Sequence, residues 1–196
     1  MSRKLKLGFL VLAVIVLVWV GIRRTTEQPK LQLPDGGKFD DYATQLKWGR
    51  YINTKYRVIF AYPLTWSMNT TTSIFETGDL ITVEFIGPTQ KDQTEFYDGA
   101  RLVVMIPQPT NSDLSDWVAG RHRGLPGENP PEASDVQLNG RNFKKVYTCG
   151  LGCFTYYYTI IDGQVYGVMV FASGPQKAEL EATLEQMLTK LELGSS

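Results

Sequence analysis

The sequence predicts an α+β chain: an antiparallel β-sheet flanked by helices, preceded by one N-terminal transmembrane helix. Three observations carry this reading. A sixteen-residue apolar run without a charge lies near the start, a series of period-2 segments separated by turn signals fills the middle, and two stretches place apolar residues at helical spacing. At 196 residues the chain fits one domain plus an anchor, since domains commonly run about 100–150 residues.

The apolar run is residues 7–22, LGFLVLAVIVLVWVGI. As a helix it reaches ~24 Å, short of the ~30 Å hydrocarbon core. Lys6 and Arg23 extend it by snorkelling, and Trp19 stands where an interfacial aromatic belongs. A cleaved signal peptide is the alternative, but the run slightly exceeds the usual apolar region. Val20-Gly21-Ile22 also leads into two arginines rather than a small-residue cleavage site. Gly8-Phe9 after a basic leader resembles the processing site of type IV pilins. However, Ala13 stands where that family places glutamate, and Pro29, Pro34, Gly36 and Gly37 interrupt its long helix. The expectation is therefore an uncleaved anchor over 1–24 whose residues 7–22 meet the lipid bilayer. Three basic residues precede the run and two follow it, so charge alone barely sets the orientation. The basic N-terminal tail and the cysteine pair at 149 and 153 together favour that end inside and the domain outside.

Residues 25–48 read as a stalk, of which 25–38 (TTEQPKLQLPDGGK) are polar, rich in proline and glycine, and aperiodic. The domain then occupies 49–193. Residues 56–62 alternate until Pro63 stops the ladder, and 80–86 (LITVEFI) and 101–106 (RLVVMI) are β-branched and apolar. A meander follows. Residues 136–138 lead into Asn139-Gly140, 142–148 return, 154–161 (FTYYYTII) lead into Asp162-Gly163, and 164–172 return. Both dipeptides are type I′ hairpin signals. Several of these strands are apolar on both faces, so each side of the sheet needs a cover.

Two helices provide it. Ser112 is placed to cap 113–123, whose Leu114, Trp117, Val118 and Arg121 form one stripe. The second starts at Pro175 and runs to about Glu192, with Leu180, Leu184, Met187, Leu188 and Leu191 on one face.

The run Tyr56-Arg57-Val58-Ile59-Phe60-Ala61-Tyr62-Pro63-Leu64-Thr65-Trp66 resembles the opening strand of PsbP-like domains, an aromatic-rich strand closed by Tyr-Pro-x-x-Trp. The element order is also similar over residues 50–192. This resemblance implies a sandwich of an antiparallel sheet between helical layers. Its members include a lumenal photosystem II accessory protein and many bacterial exported or anchored proteins. The photosynthetic role does not transfer, because fold alone does not license function and no metal-binding residues of the family map onto this chain.

The charge balance narrows the partners. Net charge is zero, but five of the twenty basic residues flank the apolar run, leaving fifteen against twenty acidic residues beyond it, a net of −5. Such a domain is poorly suited to nucleic acid, and no nucleic-acid partner is expected. The most specific local motif is Cys149-Gly150-Leu151-Gly152-Cys153, two cysteines at facing ends of predicted strands. Cross-strand Cα separations of ~4.5–5.5 Å suit a disulfide, which would contribute ~2 kcal/mol on the entropic model. Free thiols and a redox or metal role are the competing readings. A thioredoxin-type motif uses two intervening residues at a helix start, and one histidine is too few for an attractive zinc site.

His122 is the only histidine, in Gly120-Arg121-His122-Arg123. Its plain reading is a basic helix C-terminus complementing the macrodipole, as Asp113 and Asp116 do at the start. Arg121, His122 and Arg123, with the irregular segment after them, also form a candidate ligand loop. Tyr147, Tyr156, Tyr157, Tyr158 and Tyr166 read as half-buried sheet residues rather than a stacking platform. No phosphate loop, nucleophile elbow, zinc-protease or calcium-loop motif is present, so no catalytic, cofactor or metal residue is assigned. The function expected is a non-enzymatic accessory or binding module tethered outside a membrane, with an envelope protein as the natural partner. The alternatives are an enzyme with a dispersed site near His122 and a pilin-like assembly subunit.

Overall fold

The computed structural model describes residues 47–70, 78–92, 97–124, 129–150 and 152–194. The anchor at 7–22, the pilin-like site at Gly8-Phe9 and the stalk up to 46 lie outside them. Among the described residues no helix is long and apolar enough to cross a membrane.

Among the described residues, eleven strands and two helices follow in the order β1 (Trp48–Asn53), β2 (Val58–Pro63), β3 (Ser67–Asn69), β4 (Asp79–Ile86), β5 (Gly99–Met105), β6 (Gln108–Pro109), α1 (Leu114–Arg121), β7 (Ala133–Leu138), β8 (Arg141–Cys149), β9 (Cys153–Ile161), β10 (Gln164–Ser173), α2 (Lys177–Leu188) and β11 (Glu192–Leu193). Every pairing is antiparallel. A small sheet has the order β1-β2-β11, and a large one runs β3-β4-β5-β10-β9-β8-β7, with β6 beside the start of β10.

The meander forms as the turn residues dictate. Asn139 and Gly140 have φ of 53° and 74°, and Asp162 and Gly163 have 51° and 71°. These left-handed pairs are what type I′ turns require and what Asn, Asp and Gly tolerate best.

Side-chain alternation then sorts the large sheet into two faces. On one, Leu102 and Val104 of β5, Val168 of β10, and Ile81 and Val83 of β4 are buried. They join Val58 and Phe60 of β2 and Leu180, Leu184, Met187 and Leu188 of α2 in the main core. On the other, Met105, Val146, Tyr158 and Val165 are buried together with Val118 of α1. Strands apolar on both faces are thus covered on both, by α2 and the small sheet on one side and by α1 on the other.

Several boundaries depart from the sequence expectation. The strand at Trp48–Asn53 begins inside the segment expected to be stalk; it pairs with β2 along its whole length, from Trp48↔Pro63 to Asn53↔Val58. The cap of α1 is Asp113, whose Oδ1 accepts from the Asp116 N–H at 2.9 Å, while the Ser112 N–H donates to Thr110 Oγ1. The helix ends at Arg121, two residues early. α2 starts at Lys177 after Gln176 rather than at Pro175, and stops at Leu188. Leu191 is buried beyond the helix, and Glu192–Leu193 pair with β2 instead of continuing it.

The early end of α2 has a cause. Asn139 Nδ2, from the β7–β8 turn, donates to the carbonyls of Leu188 (3.1 Å) and Leu191 (2.7 Å), satisfying acceptors that a longer helix would have used. Asn139→Asp keeps a residue that tolerates positive φ but removes both donors and sets a negative charge at a helix C-terminus. It is expected to cost roughly 1–2 kcal/mol. Urea denaturation measures this, and a change of only a few tenths would show that the cap is dispensable.

Candidate functional site

The site begins with α1. Its apolar side, Leu114, Trp117 and Val118, seats the helix on β8 and β9, with the Trp117 ring 5.2 Å from that of Tyr158. This fixes the helix end. The Arg121 guanidinium lies over the Trp117 ring at 5.7 Å. His122 follows as the C-cap, its N–H donating to the Val118 carbonyl at 2.9 Å.

The imidazole turns inward over the sheet. His122 Nε2 shares a 2.9 Å hydrogen bond with the hydroxyl of Tyr158, a tyrosine with no exposed surface. The ring also lies 4.9 Å from Tyr156 and 5.5 Å from Tyr158, whose own rings stack in parallel 6.1 Å apart. Tyr156 and Tyr158 share a face because they are two residues apart on β9. Burial, and then the neighbouring Arg121 charge, push the His122 pKa below its ordinary 6.5.

Opposite the helix end stands the end of β8. β7 pairs with β8 only as far as Ala133↔Val146, so Tyr147, Thr148 and Cys149 run past the edge strand. Cys149 faces Cys153 across the hairpin with Cα atoms 4.0 Å apart and the sulfurs at bonding distance, a disulfide-capable pair. The Gly150 N–H donates to the Gly152 carbonyl at 2.8 Å within the same turn.

Between these two ends is an open cleft of about 450 Å³. Arg121, His122, Arg123 and Gly124 line one side, and residues 147–149 line the other. Asn129 and Pro131 border it where the chain approaches β7. The structure therefore brings together two motifs that the sequence presents separately, the basic tripeptide and the cysteine hairpin. It also recruits Thr148, which carries no motif, and Tyr147 from the tyrosine series, while Asn129 comes from the irregular segment already read as part of the candidate loop. Tyr147 departs from the expectation of half-burial. It is 55% exposed, whereas Tyr158 and Tyr166 are core residues. A second hollow of about 200 Å³, lined by Leu138, Arg141 and Leu193, lies at the small-sheet end of the domain.

The arrangement can bind. His122 hydrogen-bonds a tyrosine rather than a carboxylate, which is not the base-and-orienter pairing of a nucleophilic site. Among the described residues no group of three or more His, Cys, Asp or Glu side chains is gathered to hold a metal ion.

The depressed His122 pKa has a stability consequence with a defined sign. Above 6.5 the imidazole is neutral in both the folded and unfolded chain. As pH falls below 6.5 the unfolded chain takes up its proton first, so stability is lost down through the folded pKa. As the only histidine gives a single imidazole Hε1 resonance, NMR titration should place its midpoint below 6.5, and Arg121→Gln should move it upward. A wild-type midpoint at or above 6.5 would contradict both the burial and the charge argument.

No family model matches the chain, and no curated protein matches its sequence. Solved structures do. The chain is similar to the solution structure of cyanobacterial PsbP (CyanoP) from Synechocystis sp. PCC 6803, with 11% identity, 84% of this chain and 99% of that one covered, and a TM-score of 0.49. It is similar to LpqN of Mycobacterium tuberculosis, described as involved in cell envelope biogenesis (12% identity, 82% and 99% covered, TM-score 0.46). It is also similar to the Ran-binding protein Mog1p of Saccharomyces cerevisiae (10% identity, 76% and 96% covered, TM-score 0.44). At such identities no residue's role passes from these proteins to this one. The chain whose Tyr56 to Trp66 motif resembles PsbP-like domains folds as an antiparallel sheet with two helices, and a PsbP stands among the structures similar to it.

Proposed function

We propose that this chain is a non-enzymatic accessory module that takes its ligand, an envelope component, in the cleft between the end of α1 and the end of β8. The observation that supports this most is the convergence of Arg121, His122 and Arg123 with the cysteine hairpin on one concave surface. Concave sites with a few convergent polar groups are where ligands bind. In this reading residues 7–22 hold the chain in the bilayer, the N-terminus faces the cytoplasm, and the domain stands outside, where Cys149 and Cys153 remain oxidised.

Two experiments test the reading. A photo-activated benzophenone introduced at Thr148, in the cleft, should give a discrete adduct in intact cells by intact mass. The same group at Glu181, on the outer surface of α2, should not. Equal labelling from both positions would remove the cleft from the proposal. For topology, intact cells are treated with a membrane-impermeant maleimide before and after an impermeant reductant. Labelling that requires the reductant supports an outside domain with a closed disulfide. Thiols that react only after lysis would place the domain inside.

A further inference from the structure

The β7–β8 turn carries a reactive pair as well as a hairpin geometry. Of the asparagines in the chain only Asn139 precedes a glycine; the others are followed by Thr54, Thr70, Ser112, Pro130 and Phe143. An asparagine in that setting can lose its side-chain amide. The Gly140 nitrogen gives up its proton and attacks Asn139 Cγ, the Cγ–Nδ2 bond breaks, ammonia leaves, and a five-membered succinimide remains. Water then opens the ring to an aspartate or an isoaspartate, and no other reactant enters. Gly140 is exposed and nothing lies within 4 Å of where its Cβ would stand, so this side of the turn is open to solvent base. We propose that Asn139 is a site of deamidation gated by the end of α2, so that each chain keeps a one-way record of the openings of that end. The cleft takes no part in it.

The gate is the pair of hydrogen bonds that Asn139 makes. Its Nδ2, the atom that must depart, donates to the carbonyls of Leu188 at 3.1 Å and Leu191 at 2.7 Å. Ring closure needs that nitrogen free and Cγ turned onto the Gly140 nitrogen, so the bonds to α2 must break first. Both acceptors lie where α2 ends and leads into β11. There the Leu191 N–H donates back to the Leu188 carbonyl at 3.2 Å, and only Glu192↔Ile59 and Leu193↔Val58 pair with β2. A two-residue strand at the edge of a three-stranded sheet opens at lower free energy than the core. The product cannot close the latch again. A carboxylate at 139 has no N–H to donate to either carbonyl, and its negative charge meets a helix C-terminus, which disfavours anions. The alternative is that an exposed Asn-Gly pair deamidates at a rate the fold does not set. The two accounts differ in whether folding slows Asn139 and whether the end of α2 decides by how much.

The test follows the full-length chain in a non-ionic detergent and mildly alkaline buffer, sampled over days and digested with trypsin. The peptide ending at Arg141 carries Asn139, and its other asparagine, Asn129, precedes a proline whose nitrogen has no proton to lose. Conversion is read by mass as the replacement of NH by O. The folded chain should convert at least about tenfold more slowly than the same chain in urea. Leu193→Ala, which loosens β11 from β2, should raise the folded rate about tenfold, while the rate in urea stays at the wild-type value. Val118→Ala weakens the smaller core instead and should leave the folded rate near wild type. If Leu193→Ala does not fold, the milder Leu193→Val replaces it, with a smaller rise in the same direction. Modified chain, separated by ion exchange, should unfold at a lower urea midpoint than unmodified chain. Equal rates in the folded chain and in urea overturn the proposal. Equal acceleration by Leu193→Ala and Val118→Ala also overturns it, because global unfolding rather than the end of α2 would then set the rate. A modified chain with an unchanged midpoint overturns it as well, since the cap would not have been lost.

Discussion

Replacing Gly99 with alanine is expected to cost ~4 kcal/mol or more, among the largest losses available to a single methyl group. Gly99 opens β5 with φ of 144°, a backbone region that L side chains rarely adopt. A Cβ there would lie 2.1 Å from the Phe85 carbonyl oxygen of the neighbouring strand, which is itself fixed by the β4–β5 ladder. The preceding residue leaves little room for adjustment. Asp98 is buried; its Oδ2 accepts from the Thr89 N–H at 2.9 Å and the Thr89 hydroxyl at 2.6 Å, and its backbone carbonyl accepts from Gly87. Gly140 supplies the control. Its φ of 74° is also positive, but nothing lies within 4 Å of its missing Cβ, so Gly140→Ala should cost only roughly 1 kcal/mol. Urea denaturation of the two variants separates the effects. Similar midpoints would show that the Phe85 contact relaxes freely and that φ alone sets the cost.

Tyr158→Ala is the second large loss, expected at about 3–5 kcal/mol for truncating a fully buried aromatic ring. The ring lies over its cross-strand partner Gly167, where even a Cβ would come within 2.9 Å of it, and it supports Trp117 and His122. Tyr158→Phe keeps the ring and removes only the hydroxyl bonded to His122, at an expected cost of about 1 kcal/mol. The pair of variants divides packing from hydrogen bonding. If the phenylalanine variant lost as much stability as the alanine one, the hydroxyl bond rather than the core would be holding α1 in place. Tyr158 thereby links the fold to the cleft, because the same side chain that closes the smaller core also orients the imidazole.

The parts of this architecture that were readable in sequence are those governed by local rules. Asn139-Gly140 and Asp162-Gly163 force type I′ turns wherever they occur between alternating segments, so β7 to β10 follow with near-correct bounds. The stripe of Leu180, Leu184, Met187 and Leu188 marks the buried side of α2 for the same reason. β1 was not readable because its alternation misleads: Ile52 points outward and is 55% exposed, while the polar Asn53 sits partly buried against Tyr51. The helix expected to run to about Glu192 stops at Leu188 although Leu191 continues its stripe, because the long-range Asn139 cap and the pairing of Glu192–Leu193 with β2 end it. The cleft divides similarly. Its basic side lies in three consecutive residues and is visible, but residues 147–149 reach it only because β7 stops at Ala133, a register fact that no local pattern encodes.

The small sheet has one more consequence, for handling the molecule. β1 and β11 flank β2 and both run opposite to it, so they run alongside each other in the same direction. The chain enters this ribbon at Trp48, beside Pro63, and leaves it after Leu193, beside Val58. Entry and exit are thus about five strand steps apart, ~17 Å, at opposite ends of one strand. A fluorophore or surface linker fused after Gly194 is therefore displaced from Trp48, and these two ends can be tethered independently.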